Sequence, residues 1–205
     1  MAKVFYVEAS PRKARSASIE VARVLLDALA AKGHEIDTLD LWAAPLPEFD
    51  GALLEAKYAV LSAQNPTPEQ QAAWDGVAAM VERLKSAQVL VVSTPMWNFS
   101  IPYKLKHWID LVTQPGLSFG YDPATGYYGL VNGIRAVGIY ARGGDYSGEA
   151  AAYDQQTRYL ASVLAFMGIT DHTAITIDRG LSGSEADRAA RDAAKTEAVE
   201  LAAAL

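Results

Sequence analysis

The 205-residue sequence predicts an α/β domain with a five-stranded parallel sheet, order 2-1-3-4-5, between two layers of helices. Two observations carry that prediction. Short apolar runs alternate with longer helical patterns along the chain, as parallel crossover units require. The run Val89-Leu-Val-Val92 has no polar face, as a strand covered on both sides should read.

Residues 3–7 (KVFYV) are the first strand. Residues 16–31 follow as a helix, with apolar positions at 19, 21, 22, 24, 25, 26 and 29 and Gly33 placed to end it. Residues 34–41 alternate and read as strand two, nearer the sheet edge. The next crossover is too long for a minimal unit. It holds two helical patterns, 51–63 and 68–85, separated by Gln64-Asn-Pro-Thr-Pro68. This is a helical insertion, about 51–86, inside a single domain spanning 1–205. Residues 88–93 are strand three and 101–112 a helix with Ile101, Leu105, Trp108, Ile109 and Val112 on one side. Residues 135–140 are strand four, 149–167 a helix closed by Gly168, and 174–177 strand five. Residues 184–204 form the last helix, with Ser184 as its expected N-cap. One stretch, about 113–133, is rich in glycine and aromatics and reads as a long ordered binding loop.

Composition narrows the function classes. The net charge of −6 and the lack of a basic stripe disfavour a nucleic-acid or anionic-membrane surface. No cysteine is present, so thiolate metal sites and cysteine nucleophiles are excluded. His34, His107 and His172 have no metal-ligand spacing, and no GxSxG elbow occurs. No run approaches the roughly 20 apolar residues of a membrane span, and no signal segment opens the chain. The expectation is a soluble cytoplasmic protein.

In such a sheet, ligands bind beyond the carboxyl ends of the strands. After strand one comes Ser10-Pro-Arg-Lys-Ala-Arg-Ser16-Ala17-Ser18, without glycine and unlike either GxGxxG or a Walker loop. Hydroxyls beside a helix start suit a compact dianion, a terminal phosphomonoester, and Arg12 could add charge; a plain serine-capped helix start is the alternative. After strand three comes Pro95-Met96-Trp97-Asn98-Phe99, apolar faces with an amide for the edge of a flat heteroaromatic ring, or else a core plug. After strand four comes Ala141-Arg142-Gly143-Gly144, whose two glycines let backbone amides approach a ligand, or else merely turn the chain. Three such loops at one rim spell a mononucleotide with a large ring: FMN.

These residues also carry a resemblance. SPR at 10–12 with SxS at 16–18, PMWNFSIPYKLKHWID at 95–110, GL at 129–130, ARGG at 141–144 and FMGITD at 166–171 resemble the FMN-dependent NADH-azoreductase and quinone-reductase family, on the flavodoxin-like fold. The resemblance covers nearly the whole chain. It implies that Ser10, Ser16, Ser18 and the backbone of Ala17 hold the phosphate of a tightly bound FMN. Met96, Trp97, Asn98 and Phe99 would hold the isoalloxazine, with the Gly143 and Gly144 amides on its pyrimidine side. It implies a homodimer in which aromatics of both subunits cover the open ring face. Phe119, Phe166 of the partner subunit, Tyr121 and Tyr128 match that role, beside Asn98. Tyr146 stands where it could meet a substrate oxygen. Ala141 replaces a hydroxyl residue common before the Arg-Gly-Gly, and Trp97 replaces a common Tyr.

The activity implied is a ping-pong relay. NADH or NADPH gives hydride to flavin N5, leaves, and a quinone or azo compound takes it back. The cofactor carries the chemistry, so no side chain is assigned as catalytic. The alternatives are a flavodoxin-like one-electron carrier, an NADPH-dependent FMN reductase that releases its flavin, and a binding module without redox chemistry.

Overall fold

The computed structural model describes residues 1–205. The sheet strands are β1 (Lys3–Glu8), β2 (Glu35–Asp40), β3 (Val89–Pro95), β6 (Arg135–Ala141) and β7 (Asp171–Ile177); β4 (Phe119–Asp122) and β5 (Gly126–Gly129) form a separate antiparallel hairpin. The helices are α1 (Ala17–Ala31), α2 (Gly51–Leu61), α3 (Pro68–Lys85), α4 (Tyr103–Val112), α5 (Gln155–Met167) and α6 (Ser184–Ala204). The main sheet is parallel throughout, in the order β2-β1-β3-β6-β7. That is the expected order, with strand two at an edge.

Alternation along each strand feeds two cores. Phe5, Val7, Leu90 and Val92 face α3, α4 and α5 through Leu84, Leu105, Trp108 and Leu164. Val4, Tyr6, Val91, Val137 and Ile139 face α1 and α6 through Leu25, Leu29, Ala194, Ala198 and Ala202. The three alanines repeat every four residues and make one smooth stripe, which lets α6 lie close to α1. The insertion is α2 and α3. Trp74, Val77 and Leu53 anchor it on Leu111 of α4. Thr67 and Gln70 form a reciprocal capping box at the start of α3, so the Pro-Thr-Pro linker ends in a defined helix start.

Four boundaries differ from the sequence expectation. The 149–167 helix is two pieces: a 3-10 segment Gly148–Tyr153, then α5 from Gln155. Asp154 divides them because its carboxylate accepts the Thr157 amide at 2.9 Å and caps the second piece. Ser184 is not the cap of α6. Gly183 is, at φ 103, and its carbonyl already accepts the Asp187 amide, so Ser184 is the first helical residue. Strand five begins at Asp171, three residues early, because the polar stretch Asp171–Thr173 pairs with Arg135–Val137 at the sheet edge. The aromatic loop contains the β4–β5 hairpin, with Tyr121 opposite Tyr127.

Gly129 joins that hairpin to the domain. A Cβ there would lie 2.2 Å from the Gly168 nitrogen and 2.4 Å from the Met167 carbonyl carbon. Only glycine allows this contact between hairpin and helix end.

Candidate active site

β1, β3 and β6 end in register: Glu8 pairs with Ser93, and Pro95 with Ala141. The three loops that follow therefore leave the sheet side by side. Together with the loop after β7 they wall a cleft of about 220 Å³, lined among others by Ser10, Ser16, Ala17, Met96, Trp97 and Gly143.

The serine loop is shaped by its own polar contacts. Ser10, Ser16 and Ser18 are all buried. Ser16 is the N-cap of α1, its Oγ accepting the Ile19 amide at 3.4 Å, and lies 3.1 Å from Ser18 Oγ. Lys13, at φ 49, points away from the hydroxyls; its ammonium reaches Glu8 at 2.7 Å and also Asp40. Burial pulls the Lys13 ammonium down, but Asp40 and Glu8 outweigh it and hold its pKa above the ordinary range. The cation thus staples the loop to the ends of β1 and β2. What this loop presents to the cleft is the hydroxyls of Ser10 and Ser16 at a helix start, with Arg12 exposed at the rim.

The loop after β3 is a two-residue turn. Trp97 and Ser100 exchange both backbone hydrogen bonds at 2.9 Å, and Asn98 and Phe99 between them have φ of 48 and 70. Two left-handed residues make a type I′ turn, for which Asn-Gly is the usual pair. Asn98 fits that geometry. Phe99 does not: a left-handed aromatic costs roughly 1–2 kcal/mol. The strain holds the Phe99 ring half exposed, at 50%. It contacts Tyr153 and Tyr146, at centroid distances of 5.5 and 6.5 Å. Trp97 leans on Trp42 (6.0 Å) and Tyr103 (6.5 Å), and Trp42 is fixed by its indole N–H donating to the Ala9 carbonyl.

The loop after β6 lies on the loop after β7. Leu181 and Arg179 donate their amides to the Gly143 and Gly144 carbonyls at 3.0 Å. A Cβ on Gly143 would meet Leu181 Cδ1 at 2.8 Å. The amides of Asn98, Gly143 and Gly144 have no acceptor within the chain. On these solvent-open loop residues the amides are free to exchange water for an external acceptor, such as the heteroatom edge of a flavin ring. Neutral hydroxyls at a helix start suit the phosphate of the same molecule. The residues present therefore fit FMN.

Of the sequence-predicted residues, Ser10, Ser16, Ala17, Met96, Trp97 and Gly143 line the cleft, while Ser18, Asn98, Phe99, Gly144 and Tyr146 stand on the same loops and helix start without lining it. Phe119, Tyr121, Tyr128 and Phe166 are not among the residues lining the cleft of their own chain. Phe119 and Phe166 stack on each other at 4.7 Å, joined by Tyr127 at 5.7 Å from Phe166, and Tyr121, Tyr127 and Tyr128 are exposed. Sequence reasoning missed the fourth wall: Ile177, Gly180, Leu181, Asp187 and Arg191 after β7, and the aromatic neighbours Trp42, Tyr103 and Tyr153. The rule that pointed to strands one, three and four points equally to strand five, whose Asp178-Arg-Gly-Leu-Ser-Gly183 is glycine-rich.

Comparison with known proteins agrees with this geometry. The family described as "Flavodoxin-like fold" matches residues 2–201. An FMN-dependent NADH:quinone oxidoreductase of Desulfotalea psychrophila is 44% identical over 98% of this chain and 97% of its own length. The chain belongs to that family, on the flavodoxin-like fold. A second member, FMN-dependent NADH:quinone oxidoreductase 3 of Pseudomonas fluorescens, is 40% identical over 98% of the chain and 96% of its own length. Among solved structures, an azoreductase from Bacillus anthracis superposes with a TM-score of 0.91 at 26% identity, covering 100% of both chains. An FMN-dependent NADH-azoreductase from the same organism, in complex with FMN, gives 0.87 at 26% identity, over 98% of this chain and 100% of that one. No helix of this family member is long and apolar enough to cross a membrane.

Proposed function

We propose that this oxidoreductase holds FMN tightly in the cleft and passes two electrons, as hydride, from NADH or NADPH to quinones and azo compounds that occupy one position in turn. The observation that carries this reading is the convergence, at one sheet end, of a hydroxyl cradle at a helix start with two neighbouring loops whose amides have no acceptor within the chain. When bound, FMN supplies the ring that accepts and returns hydride.

The chain's own residues bind and orient. Ser10, Ser16 and Ser18 donate to the phosphate, aided by the first amides of α1. Met96 and Trp97 pack against the ring. The Asn98 turn and the Gly143-Gly144 amides address its polar edge, where donors stabilise the negative charge that reduction brings. Phe99, Tyr146 and Tyr153 wall the open side and exclude water from the transfer path. Tyr146, beside that opening, is placed for an acceptor oxygen. None of the three histidines is needed: His34 takes the Ala2 amide, His107 meets the Pro47 carbonyl and His172 meets Tyr140.

The site works as a homodimer in this reading. Support comes from the Phe119, Tyr121, Tyr127, Tyr128 and Phe166 cluster, a large exposed aromatic face that its own cleft does not use. Faces of this kind mark association surfaces. Covered by a second copy, they would roof the partner's cleft.

The test is anaerobic. Protein reconstituted with FMN and freed of excess flavin is mixed with NADH or NADPH while visible absorbance is followed. Rapid bleaching, then recovery on adding a quinone, is the expected outcome. Retained flavin that neither nucleotide bleaches would refute the reductase reading and leave a one-electron carrier.

A further inference from the structure

Arg142, between Ala141 and the two glycines, has no part in the reading above. It is 7% exposed, and its guanidinium is enclosed by four side chains, hydrogen-bonding two of them and pairing by charge with the other two. One nitrogen meets Asp154 Oδ2 at 2.9 Å and also Thr157 Oγ1. Its Nε donates to Gln156 Oε1 at 3.3 Å, and the other terminal nitrogen lies 3.5 Å from Asp178 Oδ1. Its backbone is equally tied: the amide donates to the Ile177 carbonyl at 2.8 Å and the carbonyl accepts the Gly180 amide at 3.0 Å. A planar fork can donate to Gln156 and Thr157 while holding its charge between Asp154 and Asp178, which a compact ammonium cannot do from one position.

Those partners join separate parts of the cleft. Asp154 caps α5, and the next amide, Gln155, donates to the Phe99 carbonyl at 3.0 Å. That carbonyl belongs to the strained Asn98-Phe99 turn. The guanidinium also lies over the Tyr146 ring, 5.8 Å from its centroid, and Tyr146 packs on Phe99. A continuous path therefore runs from the Gly143-Gly144 loop, through Arg142, Asp154 and Gln155, to the turn after β3, with a branch to Asp178 after β7.

We propose that Arg142 is a positioning residue that locks the loops after β3, β6 and β7 into one rigid unit, so that the Asn98 amide and the Gly143-Gly144 amides keep a fixed spacing. The proposal rests on the flavin reading of the cleft for its purpose, but the coupling itself belongs to the protein alone. Coupled polar networks of this kind lose their members' order together when one link is cut.

Two variants test it. Arg142→Lys keeps the charge and loses the fork. Asp154→Asn keeps the α5 cap, since Asn caps as well as Asp, and weakens the pair. The first readout is hydrogen exchange of the flavin-free protein. Five amides report the three loops: Trp97, Ser100, Gln155, Gly180 and Leu181. Exchange at all five should rise together by about tenfold in either variant, while core amides of β1 and β3 stay protected. The second readout is binding. Affinity for riboflavin and for FMN should fall by similar factors, and affinity for inorganic phosphate should not change. Faster exchange at Gly180 and Leu181 alone, with Trp97 and Ser100 unmoved, would overturn the proposal. So would a uniform rise that includes the core. Failure of the unmodified protein to bind FMN would sink the flavin reading and leave the exchange test of the coupling intact.

Discussion

Ser16 and Ser18 sit two residues apart at the cleft end of α1, Ser16 lining the cleft and Ser18 buried behind it, and the structure gives them different duties. Ser18 is fully buried, and its Oγ touches only Ser16 Oγ, at 3.1 Å. Ser16 also caps α1 through a long bond, 3.4 Å, to the Ile19 amide. Replacing Ser18 with alanine removes one hydroxyl donor to a charged acceptor, worth about 1.5–3 kcal/mol. At about 1.4 kcal/mol per factor of ten, FMN affinity should fall roughly 10- to 150-fold. Riboflavin, which has no phosphate, should bind as before. Ser16→Ala should lose a comparable factor for FMN and in addition weaken the cap. The long bond puts that loss near the low end of the range for caps, about 0.5–1 kcal/mol. For a chain of this size that lowers Tm by roughly 1–4 °C. Fluorescence titration of flavin-free protein with FMN and riboflavin gives the affinities, and thermal unfolding gives the stability. If Ser18→Ala weakens both flavins equally, or neither, the phosphate does not sit on this loop.

Three further outcomes are expected. Gly129→Ala forces a Cβ into the backbone at Gly168, which no rotamer change relieves; it should cost about 3 kcal/mol and lower Tm by roughly 6–12 °C in calorimetry. Phe99→Gly removes left-handed strain and an aromatic wall together. Thermal stability should hold or rise by about 1 kcal/mol, while steady-state kcat/KM for quinones drops. His172 is pulled below its ordinary range by burial and faces the Tyr140 hydroxyl at 3.0 Å. With the folded value depressed, the unfolded chain binds the proton first. Its contribution is therefore present above the unfolded pKa of about 6.5 and lost as pH falls toward the folded value. His172→Gln should flatten the fall in denaturant-measured stability from pH 7 to pH 5.

Strands one, three and four were legible as short apolar runs with clear breaks, strand two by its alternation and strand five by its apolar end, and the site was legible because the fold rule points to the carboxyl ends of the strands. What escaped has physical reasons. Asp154 was read as one residue of a continuous helix, since its apolar neighbours keep a helical period on both sides; only its local competition for the Thr157 amide divides them. Gly183 displaced Ser184 because a positive φ is invisible in composition. The hairpin hid within 113–133 because its two strands are four residues each and none of those residues is fully buried, so no buried face marks them. Arg142 could not be found from spacing: its partners lie 12 to 36 residues further along the chain and meet only when three loops fold together.

Lys13 has a consequence for how the anion is held. Because Glu8 and Asp40 hold its ammonium, the loop offers the cleft hydroxyl and amide dipoles; its own rim cation, Arg12, is bathed in solvent, and Arg142 and Arg191 on the other walls are already paired with carboxylates. Mobile ions weaken attraction between exposed charges but barely touch short dipolar contacts in a buried pocket. Flavin should accordingly stay in place through washes at high ionic strength, and a chaotrope or a drop in pH that protonates the phosphate should strip it far sooner than sodium chloride does. A pocket of this design selects its anion by shape.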